Sequence, residues 1–264
     1  PGPIRLFVLR NVKPPGDYEI KSSATLFTSL YYFNGPSYNG SLRDIKLIRD
    51  GEEIVTIDFY DYLLKGKQIN DQRLQRNDVI FIPKRGTTVH VIGEINRPSI
   101  YELKKNDKLK SLIQIAGGLK TTTYTNRIKI NRILPPEKRY ENGIDRVIID
   151  VDLNEFYDHE NDFELYDGDE IEFFKINDRL QNSVAISGAI SRPGKYSIAN
   201  GLMVSDLIKK SDGLLGHAFS ERVDIIRFNS DLTQSQITVN LDSALLKNSN
   251  HNLKLVANDS VIVH

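Results

Sequence analysis

A thirteen-residue stretch, VIGEINRPSIYEL from Val91 to Leu103, returns in near copy as ISGAISRPGKYSI from Ile186 to Ile198. A fixed internal period constrains a chain more than any single motif, because each copy must form one unit of structure. The period holds at separate landmarks. The prolines of PPG (Pro15), RPS (Pro98) and RPG (Pro193) lie 83 and 95 residues apart, and so do Gly35, Gly118 and Gly213, the glycines that follow the first helical stretch of each copy. A third landmark, the acidic turn before the last strand, stands at Asp78, Asp169 and Asp259, 91 and 90 residues apart. The middle copy therefore holds about eight extra residues between its helix and its last strand. LPPEKRYENGID, Leu134 to Asp145, is polar, opens on Pro-Pro and reads as a surface insertion.

The periods inside each copy are legible. VHVIGEI and VAISGAI alternate apolar with small or polar residues, as a strand does. RPSIY and RPGKY then supply a proline bend and a short second strand, so each copy opens as a β-hairpin. Leu109, Leu112, Ile113 and Ala116 follow at helical spacing, with Asn106 as the expected cap and Gly117–Gly118 as the stop. Val204, Leu207, Ile208 and Ser211 match them in the third copy, and Leu26, Leu30 and Phe33 in the first. DIKLIRD, RIKINRI and VDIIRF are the next strands, then VTIDF, VIIDV and ITVNL, each trailed by a short helical piece. One copy thus reads as two strands, helix, two strands, short helix, strand. That order predicts an α+β fold of tandem β-grasp modules, each a mixed sheet around one main helix, over residues 1–85, 86–177 and 178–264.

Composition narrows the partners. With 35 basic and 35 acidic residues among 264 the formal charge is zero, so no global field draws the chain to nucleic acid or an anionic membrane. A hydrophobic share of 39% and a charged share of 27% suit a folded globular chain. No window approaches the ~18 apolar residues of a spanning helix. The start, PGPIRLF, lacks both Met and a signal-like core, so a processed protein or an excised segment of a longer one is expected. The absence of Cys removes disulfides, thiolate nucleophiles and Cys-based metal sites together.

The repeated run, a first strand with Gly, then R-P-[GS]-x-Y, a helix ending near Gly-Gly or Asp-Gly, a strand with I-x-R and a closing [NG]-D before an apolar strand, resembles the SLBB module, the soluble ligand-binding β-grasp domain. Its marks are Gly93, Arg97, Pro98, Tyr101, Gly117, Gly118, Arg132 and Asp169 in the second copy, and Gly188, Arg192, Pro193, Gly194, Tyr196, Gly213, Arg227 and Asp259 in the third. The first copy keeps Pro15, Gly16, Tyr18, Gly35, Arg49 and Asp78 but lacks the first-strand glycine. The resemblance implies a bacterial polysaccharide biosynthesis and export protein. In such exporters similar modules stack as rings around a lumen, which implies self-association, a polysaccharide cargo, an inner-membrane polysaccharide co-polymerase as partner, and a periplasmic place against the outer membrane.

Reactive constellations find little support. Neither GxGxxG nor GxxxxGK[ST] occurs, and a serine triad has no G-x-S-x-G elbow. His90, His159, His217, His251 and His264 never share a ligand spacing. The run from Asp150 to Asn161 imitates a calcium loop at Asp150, Asp152 and Asn154, but Glu155 stands where glycine is needed and Asn161 where a bidentate glutamate is needed. A strand followed by a short helix capped by Asn154 is the simpler reading. The pairs Asp167 with Asp169 and Glu52 with Glu53 read as solvated turns rather than as a glycosidase dyad. Basic runs are short and broken by acids, against nucleic acid.

Aromatic faces bind sugars, and Tyr31, Tyr32 and Tyr38 gather at the end of the first helix while Tyr60 and Tyr62 straddle a helix start. Tyr18, Tyr101 and Tyr196 occupy one hairpin position three times, which suits a structural role; Arg97 and Arg192 precede the turn prolines and point to a ligand or a neighbouring chain, or else cap carbonyls or pair with a local acid. The candidates for ligand contact are Arg97, Arg192, Tyr101 and Tyr196. No catalytic, metal or cofactor residue is expected. The repeated letters hold turns and alternation rather than reactive groups, so no enzyme is expected; the resemblance implies a capsule or exopolysaccharide export module, with an accessory periplasmic glycan- or ligand-binding protein as the alternative.

Overall fold

The computed structural model describes residues 2–66, 70–157, 162–198 and 201–264. It is α+β. The first copy forms β1 (Ile4–Arg10), β2 (Gly16–Ile20), α1 (Leu26–Ser29) running into a 3₁₀ turn (Leu30–Tyr32), β3 (Ile45–Arg49), β4 (Glu52–Ile57), α2 (Phe59–Lys65) and β5 (Val79–Ile82). The second forms β6 (Thr87–Gly93), β7 (Ser99–Leu103), α3 (Leu109–Ile115), β8 (Thr123–Ile133), α4 (Pro136–Asn142), β9 (Arg146–Val151), α5 (Leu153–Tyr157) and β10 (Glu170–Lys175). The third forms β11 (Ser183–Gly188), β12 (Gly194–Ser197), α6 (Val204–Lys210), β13 (Val223–Phe228), β14 (Gln234–Val239), α7 (Leu241–Leu245) and β15 (Ser260–Val263).

Three mixed five-stranded sheets result, ordered β2-β1-β5-β3-β4, β7-β6-β10-β8-β9 and β12-β11-β15-β13-β14. In each, the first strand runs parallel to the last, and the other pairings are antiparallel. Alternation sets the face. In β1, Leu6 and Val8 are fully buried while Phe7 and Leu9, which alternate with them, are 38% and 42% exposed. Val89 and Val91, then Val184 and Ile186, repeat the buried pair. The helical residues picked out by spacing, such as Leu109, Leu112 and Ala116 or Val204, Leu207 and Ile208, close over that face. Each such leucine, isoleucine or valine contributes about 1.5–3 kcal/mol by leaving water.

The helix ends are made differently from the sequence expectation. Asn106 does not cap α3; Lys108 holds the cap position without a side-chain bond. Its first free amides are met from the loop before the closing strand, with Leu109 N donating to Phe163 O at 3.0 Å and Lys110 N to Asp162 Oδ1 at 3.2 Å. The first copy does the same through Gln72 O and Asp71 Oδ1, and the third through Leu253 O and Asn252 Oδ1. In the second copy the distant partners serve where no side chain caps the helix; in the first they act beside a local cap, Thr25 Oγ1 accepting from Thr28 N at 3.2 Å. The stop is as expected: Gly35, Gly118 and Gly213 take φ of 68°, 83° and 81°, and each amide donates back five residues, to Leu30, Ile113 and Ile208. Asp152, not Asn154, caps α5, its Oδ1 accepting from Asn154 N at 2.8 Å. The 134–145 stretch is outside the sheet plan, with α4 carrying Tyr140 at 94% exposure.

The chain divides into two compact units, Pro1–Ile176 with the first two sheets and Asn177–His264 with the third. Among the described residues no helix is long and apolar enough to cross a membrane.

Candidate functional site

The four sequence candidates fall on two hairpin turns, one in each unit, and within each turn the arginine and the tyrosine are joined. Tyr101 is buried and donates its hydroxyl to Arg97 O at 2.6 Å; Tyr196 donates to Arg192 O at 2.7 Å. Tyr18 does likewise to Pro14 O at 2.6 Å, so one ring ties off the turn in every copy. Burial pushes the Tyr101 hydroxyl up, with nearby Arg97 pulling it back. Backbone amides of Arg97 and Arg192 cap the helix ends at Ala116 O and Ser211 O, 3.0 and 3.1 Å away. The Arg192 side chain is exposed and pairs with Asp212, and that of Arg97 lies against Gly117, where a Cβ would come within 2.8 Å of its Nε.

The acidic landmark is an ion-pair knot. Asp169 is fully buried and takes Arg132 in a two-pronged pair, Nε at 3.0 Å and Nη2 at 2.7 Å, plus Tyr166 N at 2.9 Å. The same Arg132 donates to Glu164 O and lies 4.0 Å from the Tyr166 ring centre. Arg49 with Asp78 and Arg227 with Asp259 repeat the knot, and the hydrogen bond to the aspartate holds the proton more tightly on both arginines. This corrects the reading of Asp167 and Asp169 as one solvated turn. Asp167 is exposed and accepts from Thr88 N at 2.7 Å, whereas the position two residues on is a dry structural anchor.

Between the first two sheets runs a polar seam that the sequence does not announce. Glu102 on β7 is buried; its Oε1 accepts from Ser41 Oγ at 2.7 Å and Gly86 N at 3.0 Å, its Oε2 from Leu42 N at 2.9 Å. Tyr60 Oη accepts from Glu102 N at 2.9 Å, and Arg43 lies over the Tyr60 ring at 4.7 Å. Arg43 bonds Asp58, Asp107 and the Glu102 carbonyl at once. Burial alone would raise the Asp58 carboxyl, but bonds from Arg43 and Lys104 outweigh it and the net direction is down. Every buried side-chain polar atom among the described residues has a partner, which such a seam requires.

Beside the seam opens a groove of about 670 Å³, lined by Asn39, Lys84, Arg85, Thr88, His90, Ile100 and Asp167 among others. An adjoining hollow of about 240 Å³ shares Arg85, Thr88 and Ile100 and adds Tyr38 and Tyr60. The loop bearing Tyr38 is pinned at both ends, with Ser37 N donating to Asn11 O at 2.7 Å and Arg85 N to Asn39 O at 2.9 Å. Its Gly40 packs so close that a Cβ would stand 2.7 Å from Asn11 O. Tyr38 itself is 73% exposed, with the Arg85 guanidinium 4.4 Å above its ring. Such a surface, one rigid aromatic ring with amide and cationic donors, suits a hydroxyl-rich or anionic ligand. Of the tyrosines singled out by sequence, Tyr31 is 78% exposed, Tyr60 belongs to the seam and Tyr62 packs on Phe27.

His90 faces Glu170 at 3.4 Å, His251 accepts from Asn240 N, and His264 meets Asp224 at 2.8 Å. His159 and Asn161 lie outside the described residues. Among the described residues no group of acidic and histidine side chains is placed to hold a metal ion. Asp150 of the calcium-loop look-alike pairs with Arg127 instead.

No curated protein sequence matches the chain. Residues 88–143, from β6 through the α4 insertion, match the SLBB domain. That stretch carries the first-strand glycine, the proline turn, the tying tyrosine, the double-glycine helix stop and the arginine of the buried knot, and it is this part of the chain that is similar to the SLBB domain, a soluble ligand-binding module.

Proposed function

We propose that the chain is a non-enzymatic part of a bacterial capsule or exopolysaccharide export system, working in the periplasm against the outer membrane. The supporting observation is threefold use of one strand order, with the SLBB match falling on the middle copy. In this reading residues 1–85, 86–177 and 178–264 are three β-grasp modules, and the residues they share serve turns, helix stops and ion-pair knots. Rigid modules of that kind present surfaces to identical neighbours, to an inner-membrane co-polymerase and to a passing hydrophilic polymer. A conduit gains from many weak contacts, since tight holding would stall its cargo. Deleting the gene in its source bacterium, with fractionation of cells and measurement of surface glycan, tests this. Loss of surface polymer with retention inside, restored by the full-length protein, is the expected result; unchanged surface polymer, or a cytoplasmic protein, removes the reading. The open groove beside the seam also favours an accessory glycan-binding role, which predicts retained export with altered glycan binding.

A further inference from the structure

The repeat supplies an internal control for function. Positions that the fold needs recur: Tyr18, Tyr101 and Tyr196 at the hairpin, Asp78, Asp169 and Asp259 at the knot. Tyr38 does not recur, since Thr121 and Gly216 occupy its place in the later copies, and Arg85 is matched by Ile176. The backbone bond beneath them does recur, from Arg85 N to Asn39 O and from Ile176 N to Thr122 O. The side chains at this spot are therefore free of the architecture.

Charge adds a second argument. The acids of the groove are engaged, Asp167 by Thr88 N, Asp169 by Arg132 and Glu170 by His90 and Asn131. Lys84 and Arg85 have no carboxylate within 4.0 Å among the described residues, although Arg43, Arg49, Arg127, Arg132, Arg192 and Arg227 all do. The exposed Tyr38 ring lies directly under one of these two cations.

We infer that the groove between the first two sheets, together with its adjoining hollow, is a saccharide site selective for acidic sugars, Tyr38 in the hollow meeting the apolar face of a pyranose while Arg85 and Lys84 take its carboxylate. A guanidinium matches a carboxylate in two parallel bonds, and the ring beneath restricts its motion, so the pairing is prepared before the ligand arrives. Asn39 and Thr88 supply neutral hydrogen-bonding groups for hydroxyls. This deepens the proposed glycan-handling role and rests on it, naming uronic-acid-bearing chains as the class.

Titration of the whole chain with an oligogalacturonate hexamer and with a neutral maltohexaose, followed by NMR shifts of the groove amides, tests the inference. The acidic hexamer binds about tenfold tighter than the neutral one, and added salt erodes the difference. Arg85→Gln and Tyr38→Ala each weaken the acidic hexamer about tenfold with unchanged unfolding curves, while Arg192→Gln leaves it as it was. Equal binding of both hexamers overturns the charge selection. Acidic binding that survives Arg85→Gln and Tyr38→Ala overturns the site and leaves the glycan-handling role standing. Binding of neither overturns the inference, and the gene-deletion test, which does not pass through the groove, then decides separately whether the export reading also falls.

Discussion

The first and later sheets make the same turn with different residues. At the end of the first strand the backbone of each copy enters positive φ, 86° at Gly93, 91° at Gly188 and 78° at Arg10. The chain there leaves the parallel pairing, and the next amide reaches back to the closing strand, Asn11 N to Ile82 O, Glu94 N to Phe173 O and Ala189 N to Val263 O. In the later copies a Cβ would overlap that strand's carbonyl, at 2.1 Å from Phe173 O and 1.8 Å from Val263 O. Glycine is required by space as well as by φ there. The first copy reaches a left-handed conformation with a full side chain, so the turn belongs to the fold and the glycine is one means of making it.

A second contrast concerns β7 and β12. Glu102 accepts three bonds in the seam, while the matching residue of the third copy is Ser197, and the place of Arg43 is taken by Asn126 one copy later. The repeat is therefore not uniform where sheets one and two meet. Equivalent positions carry equivalent chemistry only where the demand is internal to a sheet.

The knots give the largest way to break these equivalences. Asp169→Ala leaves Arg132 buried without its carboxylate and should cost about 4 kcal/mol. Asp259→Ala should cost less, because the Arg227 side chain is 23% exposed against 9% for Arg132 and water takes up the charge. Hydrogen exchange resolved by sheet would show the order, and equal losses would remove the burial argument. Next comes Glu102→Ser, which copies position 197 and strands the donors of Ser41, Leu42 and Gly86; a loss of about 3 kcal/mol confined to unit 1 is expected. If urea melts of that variant match the parent, the seam does not hold the first two sheets.

Gly188→Ala and Gly93→Ala should each cost about 2–3 kcal/mol, since backbone must move to admit the methyl. Arg10→Gly should instead stabilise the first sheet by about 0.5–1 kcal/mol, relief of left-handed strain exceeding the added freedom of the unfolded chain. A destabilised Arg10→Gly protein would mean that the arginine side chain holds the turn. The smallest effect is a pH slope. Bonds from Arg222 and Thr238, opposed by partial burial and joined by His264, hold the Asp224 carboxyl well below the usual carboxylate range. Its stabilisation is therefore present above the ordinary value near ~4 and is lost as pH falls below it. Asp224→Asn should flatten the acid limb of the unfolding curve of unit 2, and an unaltered limb would assign it to other groups.

What could be read from the letters alone was local or periodic. Alternation in VHVIGEI, helical spacing at Leu109, Leu112 and Ala116, and the glycine stops depend on neighbours a few residues away, so the order of strands and helices and the threefold repeat were legible. The resemblance to the SLBB module rested on those same turn residues. Asn106 and Asn154 failed as caps because a donor takes whichever acceptor the fold delivers, here Phe163 O and Asp152 Oδ1. The split between Asp167 and Asp169 was hidden for a related reason: two carboxylates of like sequence differ only in which side of the turn faces Arg132.

The sequence by itself determined the repeated unit, its element order and its turns, since period and backbone preference act over a few residues. Only the tertiary structure decided that Glu102 meets Ser41 and Leu42 some sixty residues away, and that Tyr38 and Arg85 line one hollow. Burial and charge pairing depend on distance in space, which folding sets and chain separation does not.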